Sequence, residues 1–178
     1  LGGRDAEMCE IRKILLNNYY NFYDKKLVWG AKLSDYENEI IELDTNFKPI
    51  LIELEIDKPK PKGAKIIDHH GKKSGGHKAT SIEQVAKLLG ITLNRWQQLI
   101  AVNDRAHIAG LKAFGASKDE IERIRRYDRQ CQGVTEEEER QAEKICSSFQ
   151  SKDPLDILQI PFTHTSPVTD RLYGRYQN

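Results

Sequence analysis

The chain has 178 residues, 38% of them hydrophobic and 31% charged, a length that suits one domain with one core. Its 28 basic and 27 acidic residues leave a formal net charge of +1. No global field therefore draws it to a long nucleic acid or an anionic membrane, and any phosphate recognition must be local.

Asp5 to Tyr20 reads as a helix with Met8, Ile11, Leu15 and Tyr19 on one face. Lys26 to Gly30 reads as a short strand. Ser34 with Glu37 three residues later forms a capping box that opens a helix. Phe47 to Ile56 is a buried-strand pattern that turns acidic at Glu53 and Glu55. The lysine–proline run from Lys58 to Gly63 is a loop, because its prolines cannot continue a strand. Ala64 to Ile67 is the next strand.

The second half is helical. Thr80 and Glu83 form a capping box for a helix that Gly90 stops. Thr92 starts a helix carrying Trp96, Leu99 and Ile100. Ser117 with Glu120, and Thr135 with Glu138, open two more. Asp156 to Pro161 is a late strand candidate, and Ser166-Pro167 starts a last helix, since proline suits the first helical position. The order predicts one α/β domain over residues 1–178, a mostly parallel sheet flanked by helices, with a helical block at about 81–149. No apolar run approaches the roughly 20 residues of a membrane span. Cys9, Cys131 and Cys146 lack zinc spacing and read as reduced thiols of a cytoplasmic protein. The start at Leu1 rather than Met is compatible with a piece of a longer protein.

The strand ending at Ile67 runs into Asp68-His69-His70 and then into the glycine- and lysine-rich stretch Gly71 to His77. Carboxylates and neutral imidazoles suit Mn, Zn and Fe, and a basic glycine loop suits phosphate. In a parallel sheet a ligand site lies beyond the carboxyl ends of the strands. Asp68, Glu53 and Glu55 all stand at such ends.

Asp-His-His after an apolar strand resembles the name motif of the DHH phosphoesterase superfamily, which includes RecJ-type exonucleases and nanoRNases. Other segments match in order over about Gly2 to Gly115. Asp5-Ala6-Glu7 resembles the family's first acid pair, a strand glutamate its second acid, and Asn103-Asp104-Arg105 its last. The resemblance implies a DHH-like domain with Asp5, Glu7, Glu55, Asp68 and Asp104 as metal ligands, Glu53 being the alternative to Glu55. It implies His69 and His70 as catalytic groups. Two divalent ions, Mn with Mg as alternative, would activate water and clamp phosphoryl oxygens, and Arg4, Lys72, Lys73 and Arg105 would meet phosphate charge. The implied substrate is a phosphodiester or phosphoanhydride of a small nucleotide or another phosphorylated small molecule. A homodimer is compatible with the sequence.

This chain departs from the family in having Glu7 and a strand glutamate where aspartate is usual, and in leaving no room for the family's C-terminal substrate domain. A catalytically inactive nucleotide- or metal-binding module is therefore the competing expectation. Ordinary structural roles compete residue by residue: Trp29 and Trp96 as core, His107 and His164 as surface or capping residues, Asp104 as a cap, and Cys9 as core.

Overall fold

Helices α1 (Ala6–Asn17), α3 (Ser81–Leu89), α4 (Arg95–Ala113), α5 (Lys118–Gln132), α6 (Glu136–Ser148) and α7 (Ser166–Leu172) accompany a small parallel sheet in the computed structural model, which describes residues 1–42, 47–70, 78–150 and 157–173. A 3-10 turn, Leu33–Tyr36, leads into the short α2, Glu37–Ile41. The fold is mixed α/β and dominated by helix.

The sheet has two strands, β1 (Ile50–Ile52) and β2 (Lys65–Ile67), paired in parallel with Ile50 opposite Lys65 and Ile52 opposite Ile67. It is smaller than the sequence predicts. Lys26 to Gly30 forms no strand: Lys26 is left-handed at φ +55°, and Val28 and Trp29 stand out in solvent. Glu53 is left-handed as well, at φ +51°, and ends β1. Beyond that kink the chain pairs differently, with the Glu55 N–H donating to Ala31 at 2.9 Å and the Leu33 N–H to Glu55 at 2.9 Å. Residues 157–161 also form no strand, and Asp156 lies outside the described residues.

The caps explain the helix starts. Glu83, Glu120 and Glu138 each accept the backbone N–H of their cap residue, Thr80, Ser117 and Thr135, at 2.8 Å. These are the three boxes expected for α3, α5 and α6. The box at Ser34 does not form: its hydroxyl donates to Asp57 at 2.6 Å, and Asp35 accepts from the Lys32 N–H instead. Gly90 and Gly133 end α3 and α5 in the left-handed conformation, at φ +68° and +96°.

One core layer joins α1 (Met8, Ile11, Ile14, Leu15) to Ile52, Ile67 and α3 (Ile82, Val85). A second joins Ala6 to α4 and α5 through Leu99, Ile100, Leu111 and Ile124. Helix α1 thus lies between the sheet side and the α4–α5 side, which carries its N-terminus into the space between them. Trp96 packs in the second core against Tyr127, as expected of a core tryptophan. Tyr19 leaves the α1 stripe and is exposed. Among the described residues no helix is long and apolar enough to cross a membrane.

Candidate active site

Two glycines seat the start of the chain against the site. A Cβ on Gly2 would lie 2.2 Å from the Glu53 carbonyl oxygen, and one on Gly3 would lie 2.4 Å from that of Val28. Only glycine permits this approach of backbone to backbone. It brings Arg4, Asp5 and Glu7 over the end of β1. Asp5 caps α1, its Oδ1 accepting the Met8 N–H at 2.8 Å. Glu7, in the first turn of α1, is buried, and its Oε1 accepts the Ile82 N–H of α3 at 2.9 Å.

Glu53 enters from the sheet. Its left-handed backbone is strained for a non-glycine residue, by on the order of 1–3 kcal/mol. The turn directs its side chain inward, where it is 4% exposed and accepts the Ser81 hydroxyl at 2.6 Å. Asp104 enters from α4, a turn before a kink at Ala106 and His107. The carboxylates of Asp5, Glu7, Glu53 and Asp104 lie close together, and their charges help to raise the proton affinity of Asp5, Glu7 and Asp104. Burial pushes the Asp5 and Glu7 carboxyls well above the usual range, and the neighbouring Glu53 and Asp104 charges add to it. Burial, then Glu53, lifts Asp104 to about 7. Glu7 Oε2 and Asp104 Oδ2 are buried without a hydrogen-bond partner. Such orphaned carboxylate oxygens are costly unless a cation or proton joins them.

The cluster opens into a cleft of about 530 Å³, lined also by Arg4, Val28, Trp29, His70, Asn103, His107, Arg125, Asp128, Gln132 and His164. His70 stands on its rim with Nδ1 3.6 Å from Glu53 Oε1 and 3.5 Å from Asp68 Oδ1. The Trp29 ring meets it edge-on at 5.9 Å. Trp29 is 72% exposed and Val28 78%. The far wall is held by ion pairs. Arg125 donates to Asn103 at 2.9 Å, to Asp128 at 2.8 Å and to Asp170 of α7 at 3.0 Å. Asp128 in turn accepts the Ala6 N–H at 3.0 Å, tying α5 to the first turn of α1. Comparison with family models, curated proteins and solved structures gives no significant match.

The sequence-derived site residues divide sharply. Asp5, Glu7 and Asp104 come together, and Arg4 and His70 line the same cleft. Of the two strand glutamates, Glu53 faces the cluster. The preference for Glu55 is reversed: its side chain is 60% exposed and faces Lys32 at 3.9 Å, because the kink at Glu53 turns the following residues away. Asp68 stands outside the cleft and lines a shallower neighbouring cavity with Lys78 and Gln84. It accepts the His70 N–H at 2.9 Å and so holds His70 against the site. His69 is buried, with Nδ1 lacking a partner. Arg105 is engaged by Glu83 and does not line the cleft. Lys72 and Lys73 lie outside the described residues.

Sequence reasoning missed Arg125, Asp128, Asn103 and Gln132, and took Trp29 for core; His107 and His164 are surface or capping residues as expected, His107 exposed and His164 bonded to the capping Glu138 at 2.7 Å, and both also line the cleft. A signal for two of them was present. Arg125 and Asp128 occupy the same helical face as Ile121 and Ile124, and charge at core-facing positions marks a buried polar function.

Among the described residues no three His, Cys, Asp or Glu side chains are grouped so as to hold a metal ion as they stand. The donor set nonetheless suits a hard divalent cation. It is rich in carboxylate oxygen, mutually repulsive, and carries orphaned oxygens on two of its members, Glu7 and Asp104. Asp5, Glu7, Glu53 and Asp104 are the residues that would hold it, with His70 at the edge.

Proposed function

We propose that this cleft binds a divalent cation, Mn²⁺ before Mg²⁺, and hydrolyses a phosphodiester or phosphoanhydride of a small nucleotide, the chain being a divergent DHH-like phosphoesterase. The observation that carries the proposal is the meeting of Asp5, Glu7 and Asp104 at one cleft with Glu53 beside them, the first three with raised proton affinities and Glu7 and Asp104 with unpartnered oxygens. Bound there, a divalent ion would lower the pKa of a coordinated water and neutralise phosphoryl oxygens.

The remaining residues divide the work of binding. Arg4 lines the cleft and forms no ion pair among the described residues, which leaves its guanidinium for a phosphate. His70, held between Asp68 and Glu53, is placed to exchange a proton with a leaving or attacking oxygen. Asn103 and Arg125 fix the wall behind Asp104. Trp29 presents an open ring at the rim, where a base can stack.

One observation favours a second reading, a module that binds metal or nucleotide without turnover. Glu7 and Glu53 each commit an oxygen to hold α3, at Ile82 and Ser81. Assay of Mn²⁺-dependent hydrolysis over generic and nucleotide phosphoesters, beside an Asp104→Asn control, separates the readings. Hydrolysis that disappears in the control supports the enzyme. Mn²⁺ uptake without hydrolysis of any ester supports the binding module.

A further inference from the structure

Helix α4 is broken in its interior. Ala106 (φ −151°, ψ 18°) and His107 (φ 51°, ψ −150°) leave the helical region, just after Asp104. Glycine adopts a conformation like that of His107 freely, and a side chain resists it. Gly110 makes room for the break, since a Cβ there would lie 2.5 Å from the Ala106 Cβ. A glycine at position 107 would turn the chain with less strain, so the turn itself does not call for an imidazole. Strained backbone of this kind collects at functional sites.

The imidazole is held from α7 and open to the cleft. Its Nε2 lies 3.4 Å from Asp170 Oδ1, and its ring meets the Tyr173 ring edge-on at 6.1 Å. Asp170 is itself fixed by Arg125 at 3.0 Å and Arg129 at 2.6 Å. With Nε2 turned to Asp170, Nδ1 is the nitrogen left for a ligand. The side chain is 47% exposed and lines the same cleft as Asp5, Glu7, Asp104 and His70. His70 stands there beside Glu53 and Asp68, whereas His107 comes from α4.

We propose, resting on the phosphoester reading, that His107 is a second catalytic histidine of the cleft, the acid that protonates the leaving oxygen. A water oxygen bonds to phosphorus while its proton passes to His70. The P–O bond to the leaving group breaks, and its electron pair goes to the leaving oxygen. That oxygen takes the Nδ1 proton of the His107 imidazolium. His107 ends neutral and His70 charged, and proton exchange with solvent restores both. A leaving oxygen that is already a stable anion needs no such proton.

The test compares the wild type with His107→Gly, which removes the imidazole and relieves the backbone. Mn²⁺-dependent hydrolysis is measured on two diesters of one nucleoside phosphate, a dinucleotide with a sugar alkoxide as leaving group and a p-nitrophenyl ester. The expected result is a fall of at least about a hundredfold in kcat on the dinucleotide and of under about threefold on the p-nitrophenyl ester. The variant's Tm should equal or exceed that of the wild type. His107→Asn, whose side chain tolerates positive φ but is no acid, should show the same split. Equal falls on both esters, or no fall on either, would overturn the inference and leave the phosphoester reading standing. Hydrolysis of neither ester by the wild type would overturn that reading and the inference with it.

Discussion

The Glu7 carboxylate accepts the backbone N–H of Ile82 at 2.9 Å through one oxygen, while its other oxygen is buried without a partner. One side chain thus caps α3 and faces the acid cluster. Glu7→Gln keeps an oxygen for Ile82 and removes a charge from the cluster. We expect the metal-free protein to gain about 1 kcal/mol at pH 8, or ~3 °C in Tm for a chain of this size. The same variant should lose at least tenfold in Mn²⁺ affinity. Thermal unfolding with and without Mn²⁺ reads both, and a variant that loses stability without metal would show that repulsion does not dominate there.

The cluster also sets a pH dependence. Asp5, Glu7 and Asp104 hold protons more tightly folded than unfolded, Asp104 up to about 7 against an ordinary 3.8. Between those values the folded state binds more protons than the unfolded one, so unfolding stability falls as pH rises. The contribution is fully present below about pH 4 and is lost as pH climbs through about 7. Denaturant midpoints of the metal-free protein at pH 5 and pH 8 should show the lower stability at pH 8. Saturating Mn²⁺ should remove most of the difference, because the cation replaces the protons.

Much of this was legible in the sequence, and the reasons differ by residue. Three capping boxes, at Thr80, Ser117 and Thr135, are local patterns and form as written. Asp5, Glu7 and Asp104 follow from order along the chain, and they meet. The sheet was overread because apolar runs such as Lys26 to Gly30 carry the strand pattern without showing where the backbone turns left-handed. The same blind spot gave Glu55 over Glu53. A positive φ at Glu53, where the backbone meets Gly2, accompanies the turn of that residue rather than Glu55 toward the acid cluster, and no local sequence pattern announces it. Trp29 was read as core because size alone suggests burial; no feature of its neighbours reveals that it would stand on a rim.

Gly2 and Gly3 should be as necessary to the site as its acids. A methyl at Gly2 meets the Glu53 carbonyl at 2.2 Å, so the backbone must shift. Gly2→Ala is expected to cost roughly 1–3 kcal/mol, the usual range for overpacking, and to weaken Mn²⁺ binding by displacing Asp5 from Glu53. Urea unfolding gives the first quantity and metal titration the second. Unchanged values for both would mean that the approach is not maintained.

The wall behind Asp104 depends on Asp170, a single buried carboxylate that receives Arg125 at 3.0 Å and Arg129 at 2.6 Å. Burial alone would raise its proton affinity, but His107 and those guanidinium groups together lower it. Removing it leaves two arginines under-compensated. Asp170→Ala should cost about 3–5 kcal/mol, measurable by denaturant unfolding, whereas Glu136→Ala, which breaks the exposed Arg126–Glu136 pair at 3.2 Å, should cost under about 1 kcal/mol. Equal effects would show that the network is not a buried one.

Trp29 offers a probe of substrate class. Its exposed ring beside His70 is expected to stack a base, and base–aromatic stacking is worth about 1–3 kcal/mol. Trp29→Ala should raise KM for nucleotide esters about tenfold or more and leave KM for a glycerol phosphoester unchanged. Parallel loss on both substrates would assign Trp29 to cleft structure instead.

Calorimetric titration of the full chain with Mn²⁺ at pH 7.5, wild type beside Asp104→Asn, tests the acid cluster as a cation site most directly. The account predicts saturable binding with net proton release into buffer, since Asp104, lifted to about 7, is still partly protonated at that pH. It predicts at least a tenfold weaker affinity in the variant. No saturable binding by the wild type, or equal binding by a folded Asp104→Asn protein, would contradict it.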